Sequence, residues 1–495
     1  MHGKAKEQAE IDEEKEILET STIQAMGKNK YGDIIRSELE EKLNDNAGEG
    51  KTEVMDNGDT LVVKFIERNR YYEVDSNGNV SEPIIMKQDE YAGDITKGGR
   101  CDGSEEKPYE INCIEDLVAF SIATNGGNAN LKISSSSFNG KYVILTRKLD
   151  FNAILSYNDY TTTKYGDLNA DGIVENIKIE LTKKDDKCIG FTPIGNVNPF
   201  SGTFDGNGYE IKNIYEYAVG SYGLGLFGNC SNAMIKNVSI SGKIEVARDN
   251  QSFNGGTGGI IGFSGTGSTV ILNCINDVSI ESRGLGVGGI IGKSWSTLKI
   301  INCVNKATIK SITGEGVAGI AGRAESVTEI YNSCNLGDVL SESGGMAGGI
   351  VGYFCPSNSP INIINVYNAG DVSKSSWGNA GIIACTASKG EISIKNACNI
   401  GNITKNGNNS VAIIGALRNE PLKIDMQNSY YLEESCNIAI GGKEDSEYGV
   451  TKLSKIESSE IKNIFNEYIE ENPDGLELSD WKKWKVENND YPIFE

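Results

Sequence analysis

VGGIIG, at residues 287–292, recurs along the chain with small changes. It becomes GTGGIIG at 256–262, VAGIAG at 317–322 and MAGGIVG at 346–352. The second member of each small-residue pair advances in steps of 30, 30, 30, 32 and 31 residues, through Gly259, Gly289, Gly319, Gly349, Gly381 and Ala412. A period of this length is typical of solenoids, propellers and other repeat arrays.

Each repeat contains three short β segments separated by Gly, Asn and Ser. In one copy these segments are VGGIIG, TLKIINCVN (297–305) and ATIKSI (307–312). Strands this short, with no helices between them, exclude a βαβ fold. Three strands per period predict a mainly β protein, a right-handed parallel β-helix whose coils of about 30 residues pair with copies about 4.8 Å away.

Two residue types are expected to hold the coils together. Tandem glycines allow backbones to approach closely, and this structural role is predicted for Gly259, Gly289, Gly319, Gly349 and Gly381. Asparagine tolerates left-handed turns, and its stacked amides can form a ladder along the axis, as predicted for Asn273, Asn302 and Asn332. Cysteines beside these amides are expected to form one column of small buried residues, namely Cys274, Cys303, Cys334 and Cys398.

The composition of the chain excludes several classes of function. The chain has 47 Lys and Arg against 69 Asp and Glu, and its net charge of -22 disfavours a nucleic-acid partner. The single histidine, His2, argues against zinc sites and histidine-based catalysis. The sequence contains no run of about 18 apolar residues, so it does not predict a membrane-spanning helix.

The sequence divides into five segments. Residues 1–86 predict two helices and a β-meander, 87–107 a polar linker, and 108–188 the start of the β-helix with a capping helix and the first coils. Residues 189–440 carry the repeats. Residues 441–495 predict a C-terminal cap whose aromatic residues plug the last coil.

The stretch GFTPIGNVNPFSGTFDGNGYEIKNI (190–214), followed by the GGIIG series, resembles the GLUG-motif family of bacterial surface and secreted proteins. This resemblance covers residues 108–495 and implies a right-handed parallel β-helix. Some IgA-specific metalloendopeptidases carry such repeats beside a zinc protease domain. The chain has no HExxH motif, so that activity is not carried over.

The N-terminal segment, with VVKFIERNRYYEVDSNGNV at 62–80, resembles type IV pilin-like or pseudopilin-like modules of Gram-positive surface proteins. The resemblance implies an extracellular or cell-surface location. It also implies an export or anchor segment, a hydrophobic helix, upstream of Met1.

Two motifs are candidate sites. Asp167, Asn169 and Asp171 in DLNADG match the opening of a calcium loop. The loop has Lys178 where a bidentate Glu is needed, and Glu175 or Glu180 would replace that carboxylate. The alternative is a plain Asx-rich turn.

Trp295 and Trp377 follow Gly-rich turns, where they could stack on a sugar or a protein partner, or instead fill turn corners. Arg248, Arg283, Arg323 and Glu325 are interpreted as scattered residues on turns that form a solvated face.

The leading hypothesis is a non-enzymatic, adhesin-like scaffold at the cell surface or secreted. Its partner would be a host or cell-surface glycan or protein, and no cofactor other than calcium is implied. One alternative is a polysaccharide lyase or glycoside hydrolase of the β-helix type, which requires a cleft with convergent carboxylates and Lys or Arg. The other is a pilus- or pseudopilus-associated subunit.

Overall fold

The computed structural model describes residues 2–28, 36–57, 60–65, 70–81, 94–128, 133–151, 189–218, 223–246 and 255–494, apart from short gaps at 343–344, 357, 374, 376, 405–409, 420–422, 442, 444–447 and 488–489. The described residues of Met1–Gly93 form one compact unit. Asp94–Asp150 and the described residues of Lys184–Glu495 form a second.

The first unit packs two helices on a small antiparallel sheet. Helix α1 is His2–Lys28 and α2 is Arg36–Ala47, and the strands are Thr52–Asn57, Thr60–Phe65 and Arg70–Val74. Leu18 and Ala25 of α1 are fully buried in a core that includes Tyr72. These apolar residues of α1 are therefore covered by other residues of the same unit.

The second unit is a parallel β-solenoid of about 8 turns, which confirms the predicted parallel β-helix. The register joins equivalent positions of successive repeats, so that Ile261 pairs with Ile291 and Ile291 with Ala321. At the glycine motif, Gly259 N donates to Gly289 O at 2.9 Å. Each repeat is thus one coil, hydrogen-bonded through its backbone to the coils on either side.

Three sheets run along the rod. The seven-stranded sheet comprises Phe227–Cys230, Ile261–Ser264, Ile291–Ser294, Ala321–Ala324, Val351–Phe354, Ile383–Thr386 and Ile414–Leu417. The five-stranded sheet comprises Thr257–Gly258, Val287–Gly288, Val317–Ala318, Met346–Gly348 and Gly378–Ala380. The long sheet comprises Tyr109–Ile111, Tyr142–Leu145, Leu149–Asp150, Ile189–Gly190, Thr203–Asp205, Glu210–Ala218, Met234–Lys236, Ser239–Val246, Ser268–Leu272, Ile275–Ser282, Thr297–Ile301, Val304–Asn305, Ile309–Ser311, Thr328–Asn335, Val339–Ser341, Ile361–Asn368, Val372–Ser373, Ile392–Asn399, Ile424–Gln427, Ser429–Leu432 and Val450–Leu453.

A ladder of asparagine side chains follows one corner of the coil. Asn302 Nδ2 donates to Asn273 Oδ1 at 2.7 Å, and Asn332 Nδ2 donates to Asn302 Oδ1 at 2.6 Å. All three residues have a positive φ, between 46° and 54°, which asparagine adopts more readily than most residues. The amide therefore satisfies two needs of the corner, the left-handed turn and the contact between coils.

A second asparagine ladder lies three residues further along each coil and explains the glycine motif. The Nδ2 of Asn335 donates to Asn368 Oδ1 at 2.7 Å, and the Oδ1 of Asn335 accepts from Asn305 Nδ2 at 2.7 Å. A Cβ on Gly319 would lie 2.1 Å from Asn335 Oδ1, closer than any real contact. The repeated glycine is therefore required because the amide of its own coil fills the space that a side chain would need.

The cysteines form two rows rather than the single predicted column. Cys334 pairs in register with Val304, whereas its neighbour Ser333 lies at the repeat position of Cys303. A shift of one residue moves a strand side chain to the opposite face of the sheet. Cys274 and Cys303 consequently occupy one row, and Cys334 and Cys398 occupy another row, one residue later in the repeat.

The C-terminal segment packs along the side of several coils, whereas the sequence predicted a plug at the last coil. Helix α4, Ser458–Glu471, and the antiparallel pair Trp484–Lys485 and Ile493–Phe494 belong to this segment. Trp484, Ile461 and Phe465 form one buried cluster with Val304, Cys334, Tyr367 and Cys398, which come from four successive coils. The indole Nε1 of Trp484 donates to Asn332 Oδ1 at 2.6 Å, so this segment also binds the first asparagine ladder.

The first coil is covered by helix α3, Ile114–Thr124, as expected for a capping helix. Phe120 of this helix contacts Phe138, Phe200 and Phe204 at ring-centroid distances of 4.8 to 6.3 Å. Part of the predicted polar linker belongs to the same cap, because Lys97 forms an ion pair with the buried carboxylate of Asp116.

Candidate functional site

Two neighbouring columns of side chains follow the seven-stranded sheet and its edge. The first column contains residues in register within the sheet, namely Phe263, Lys293, Arg323, Tyr353, Cys385 and Ala416. The second column lies two residues further along each coil and contains Gly265, Trp295, Glu325, Cys355, Ala387 and Arg418. Backbone bonds stack this second column as well, because Trp295 N donates to Ser264 O and Glu325 N donates to Ser294 O, each at 2.8 Å.

Trp295 is held at one end of these columns. The Phe263 ring meets it edge to face at 5.1 Å, and Lys293 Nζ lies 4.6 Å from the centre of its ring system. Trp295 still exposes 48% of its surface. It is therefore a fixed aromatic platform open to solvent.

The centre of the columns is a network of charged side chains that ranges from buried Lys293 to exposed Glu315. Arg323 Nε bonds Glu325 Oε1 at 2.7 Å and Arg323 Nη1 bonds Glu315 Oε2 at 3.1 Å. Lys293 Nζ lies 3.5 Å from Glu325 Oε1, and the Lys293 side chain is only 4% exposed. Arg323 and Glu325 were expected to be solvated residues on turns, but Arg323 lies in the strand Ala321–Ala324 and pairs with Glu325.

The network shifts the ionisation of its members. Burial raises the pKa of Glu325, but the charge and hydrogen bond of Arg323 outweigh this and leave it below its ordinary value. Burial lowers the pKa of the Lys293 ammonium, although the Glu325 charge opposes this effect. Glu325 is therefore a carboxylate at neutral pH, and it neutralises part of the charge of Arg323 and Lys293.

Arg418 and Trp377 form the other end of the columns. The guanidinium of Arg418 lies 5.3 Å from the centre of the Tyr353 ring and 4.9 Å from that of Trp377. Arg418 Nη1 also donates to Tyr353 Oη at 3.3 Å. Cys385 and Ala387 occupy the coil between Tyr353 and Arg418, and their small side chains leave room for the arginine to reach the tyrosine.

The Arg323 guanidinium lies 5.1 Å from the centre of the Tyr353 ring and links the two ends. Both predicted tryptophans therefore belong to one continuous set of side chains, hereafter the aromatic–cationic face, comprising Phe263, Lys293, Trp295, Arg323, Glu325, Tyr353, Trp377 and Arg418. Trp377 exposes 55% of its surface. The sequence contains a signal that places the central members in one column, because Lys293, Arg323 and Tyr353 each lie four residues after the motif glycine of their coil.

The predicted calcium motif, Asp167, Asn169, Asp171 and Glu175, lies outside the described residues. Within the part of the chain that the structure describes, no group of three or more His, Cys, Asp or Glu side chains is arranged to hold a metal ion.

Fold and face together define a parallel β-solenoid protein with an ordered aromatic and charged strip. A comparison with known protein families found no match. No curated protein matches the chain. One similar solved structure is the crystal structure of a "putative immunoglobulin A1 protease" from Bacteroides ovatus, with 19% identity, coverage of 80% of this chain and 94% of that chain, and a TM-score of 0.44. At this TM-score the likeness supports no statement about the activity of this chain.

Proposed function

We propose that the protein is a non-enzymatic binding scaffold at the cell surface or secreted, adhesin-like, and that the aromatic–cationic face binds a host or cell-surface glycan. The observation that carries the proposal is the pair of half-exposed tryptophans joined by one chain of contacts. Aromatic rings present an apolar surface on which the apolar face of a sugar ring can stack.

Rigidity supports this role. Phe263, Lys293, Arg323 and Tyr353 lie in strands that pair on both sides. Cation–π contacts with Lys293 and Arg418 hold Trp295 and Trp377. A ligand that meets a preorganised surface loses less free energy in ordering the protein. The spacing of coils, about 4.8 Å, would let a chain of sugars lie along several of them.

The test is binding of the full chain to a glycan array, followed by affinity measurements on any glycan that is retained. Trp295→Ala and Trp377→Ala should each weaken binding at least about tenfold, which corresponds to about 1.4 kcal/mol. Tyr209→Ala is the matched control, since Tyr209 is an exposed aromatic residue outside the face. Equal losses of affinity in all three variants, or no loss in the tryptophan variants, would contradict the proposal. If the chain instead binds a protein and this binding depends on both tryptophans, the ligand of the face is that protein and not a glycan.

The second candidate is a polysaccharide lyase or hydrolase, favoured by the convergence of Lys293, Arg323 and Glu325. A general base must come within hydrogen-bonding distance of the proton that it removes. The Lys293 side chain is almost fully covered and lies against the Trp295 ring, which favours a positioning role. Reproducible shortening of a polysaccharide by the purified chain, abolished by Glu325→Gln, would establish the enzyme instead.

The location is tested on cells. No helix among the described residues is long and apolar enough to cross a membrane. The packing of α1 on a three-stranded sheet supports the alternative of a pilus- or pseudopilus-associated subunit. Protease treatment of intact cells should remove the protein from the surface, and its copurification with pilus fibres would favour the pilus alternative.

A further inference from the structure

We infer that the end of the aromatic–cationic face formed by Tyr353, Trp377 and Arg418 recognises the carboxylate of an acidic sugar. This inference rests on the proposed glycan-binding function and specifies the ligand class. The acidic sugar is one that carries a single, isolated carboxylate, such as a terminal uronic or sialic acid.

Arg418 is the cation of the face that remains available to a ligand. Arg323 and Lys293 already have carboxylate partners in Glu325 and Glu315. Arg418 is exposed, and within the described part of the chain no carboxylate forms an ion pair with it. Among the described residues, the one side chain to which it donates a hydrogen bond is Tyr353, at Oη, which leaves most of the five guanidinium donors for another acceptor.

The guanidinium is also oriented for this task. Contacts with Tyr353 and Trp377 hold its position, and these aromatic partners cannot neutralise its charge. The planar fork of donors matches a carboxylate, which it can bind through two parallel hydrogen bonds. Trp377 would meanwhile offer its exposed ring to the apolar face of the same sugar.

The charge of the whole chain decides between an isolated carboxylate and a polyanion. At a net charge of -22 the chain repels a polyanion. Exposed charges are screened beyond about 8 Å at physiological ionic strength, so one local carboxylate can pair with Arg418 with little opposition. One available guanidinium therefore favours a sugar with a single charge.

The test compares matched ligands by calorimetry with the full chain. The ligands are a glucuronic-acid-terminated oligosaccharide, its methyl ester, and a sialylated oligosaccharide with its desialylated form; the two pairs separate the two acid classes. We expect at least one acid to bind about tenfold or more tightly than its neutral counterpart. Arg418→Gln should abolish this difference and preserve the affinity for the neutral form.

Two controls make the result decisive. Lys310→Gln removes a cation of the long sheet, where Glu281 and Glu342 flank it, and should leave the preference intact. Arg418→Lys keeps the charge but loses the planar fork, and should retain only part of the preference. Equal affinities for acid and neutral forms, with both reduced by Trp377→Ala, would overturn the inference and leave the proposed function standing. Absence of binding to every glycan would overturn both.

Discussion

Removing one amide from the second asparagine ladder should destabilise the rod strongly. Asn335 is fully buried; its Nδ2 donates to Asn368 Oδ1 and Gly337 O, and its Oδ1 accepts from Asn305 Nδ2. Asn335→Ala would leave two buried acceptors without this donor. A buried group without a partner costs about 1–3 kcal/mol, so we expect the free energy of unfolding to fall by about 3–5 kcal/mol.

The same site offers a coupled variant. Gly319→Ala should also destabilise the rod, because the new Cβ would lie 2.1 Å from Asn335 Oδ1 and 2.5 Å from Gly349 O. Asn335→Ala removes the first of these obstacles and leaves the second. The double variant should therefore lose less free energy than the sum of the single losses, by about 0.5–3 kcal/mol.

The assay is equilibrium unfolding in urea, with hydrogen exchange as a local measure. Since a solenoid coil contacts only its neighbours, faster exchange should centre on strands Val317–Ala318 and Thr328–Asn335 and on the coils next to them. Asn358→Ala, at an exposed asparagine, is the matched control and should change stability by less than about 0.5 kcal/mol. Strict additivity, or an Asn335→Ala variant as stable as this control, would refute the reasoning.

Three further predictions follow from other parts of the chain. The buried Glu216 accepts from Gly225 N at Oε2, and among the described residues its Oε1 has no partner; burial raises its pKa well above 4.5. Because the folded state then holds a proton that the unfolded chain releases, the free energy of unfolding should fall as the pH rises above 4.5, and Glu216→Gln should remove this fall. Urea unfolding that shows the same pH dependence of this free energy in both proteins would disprove the prediction. Truncation after Lys455 should make Cys334 and Cys398 react with a maleimide while Cys274 and Cys303 stay protected, as mass spectrometry can show; equal labelling of both rows would contradict the assignment. Calcium should raise the melting temperature relative to chelator, and Asp167→Ala, unlike Asp186→Ala, should abolish the increase; identical melting in all samples would eliminate the calcium site.

The periodic residues made the rod predictable. Each strand pairs with the equivalent strand one coil away and occupies the same environment, so similar residues recur at equivalent positions and their spacing predicts the pairing. The exception at Ala412 fits the same rule. In that coil the position of the second ladder is occupied by Tyr431, which pairs with Asn399 of the preceding coil, so no asparagine amide requires a glycine there.

The spacing of the repeats does not predict which side chains contact one another on the surface of the rod. Arg418 and Tyr353 are 65 residues apart, and only the winding of the coils brings them together. The packing of the C-terminal segment on four coils and the division of the cysteines into two rows likewise depend on which face each side chain occupies. By itself the sequence determined the repeat, its strands and its turns, because backbone pairing acts between equivalent positions. Tertiary structure alone decided which side chains of the aromatic–cationic face contact one another and where the C-terminal segment packs, because these contacts join side chains at different positions of the repeat or outside it.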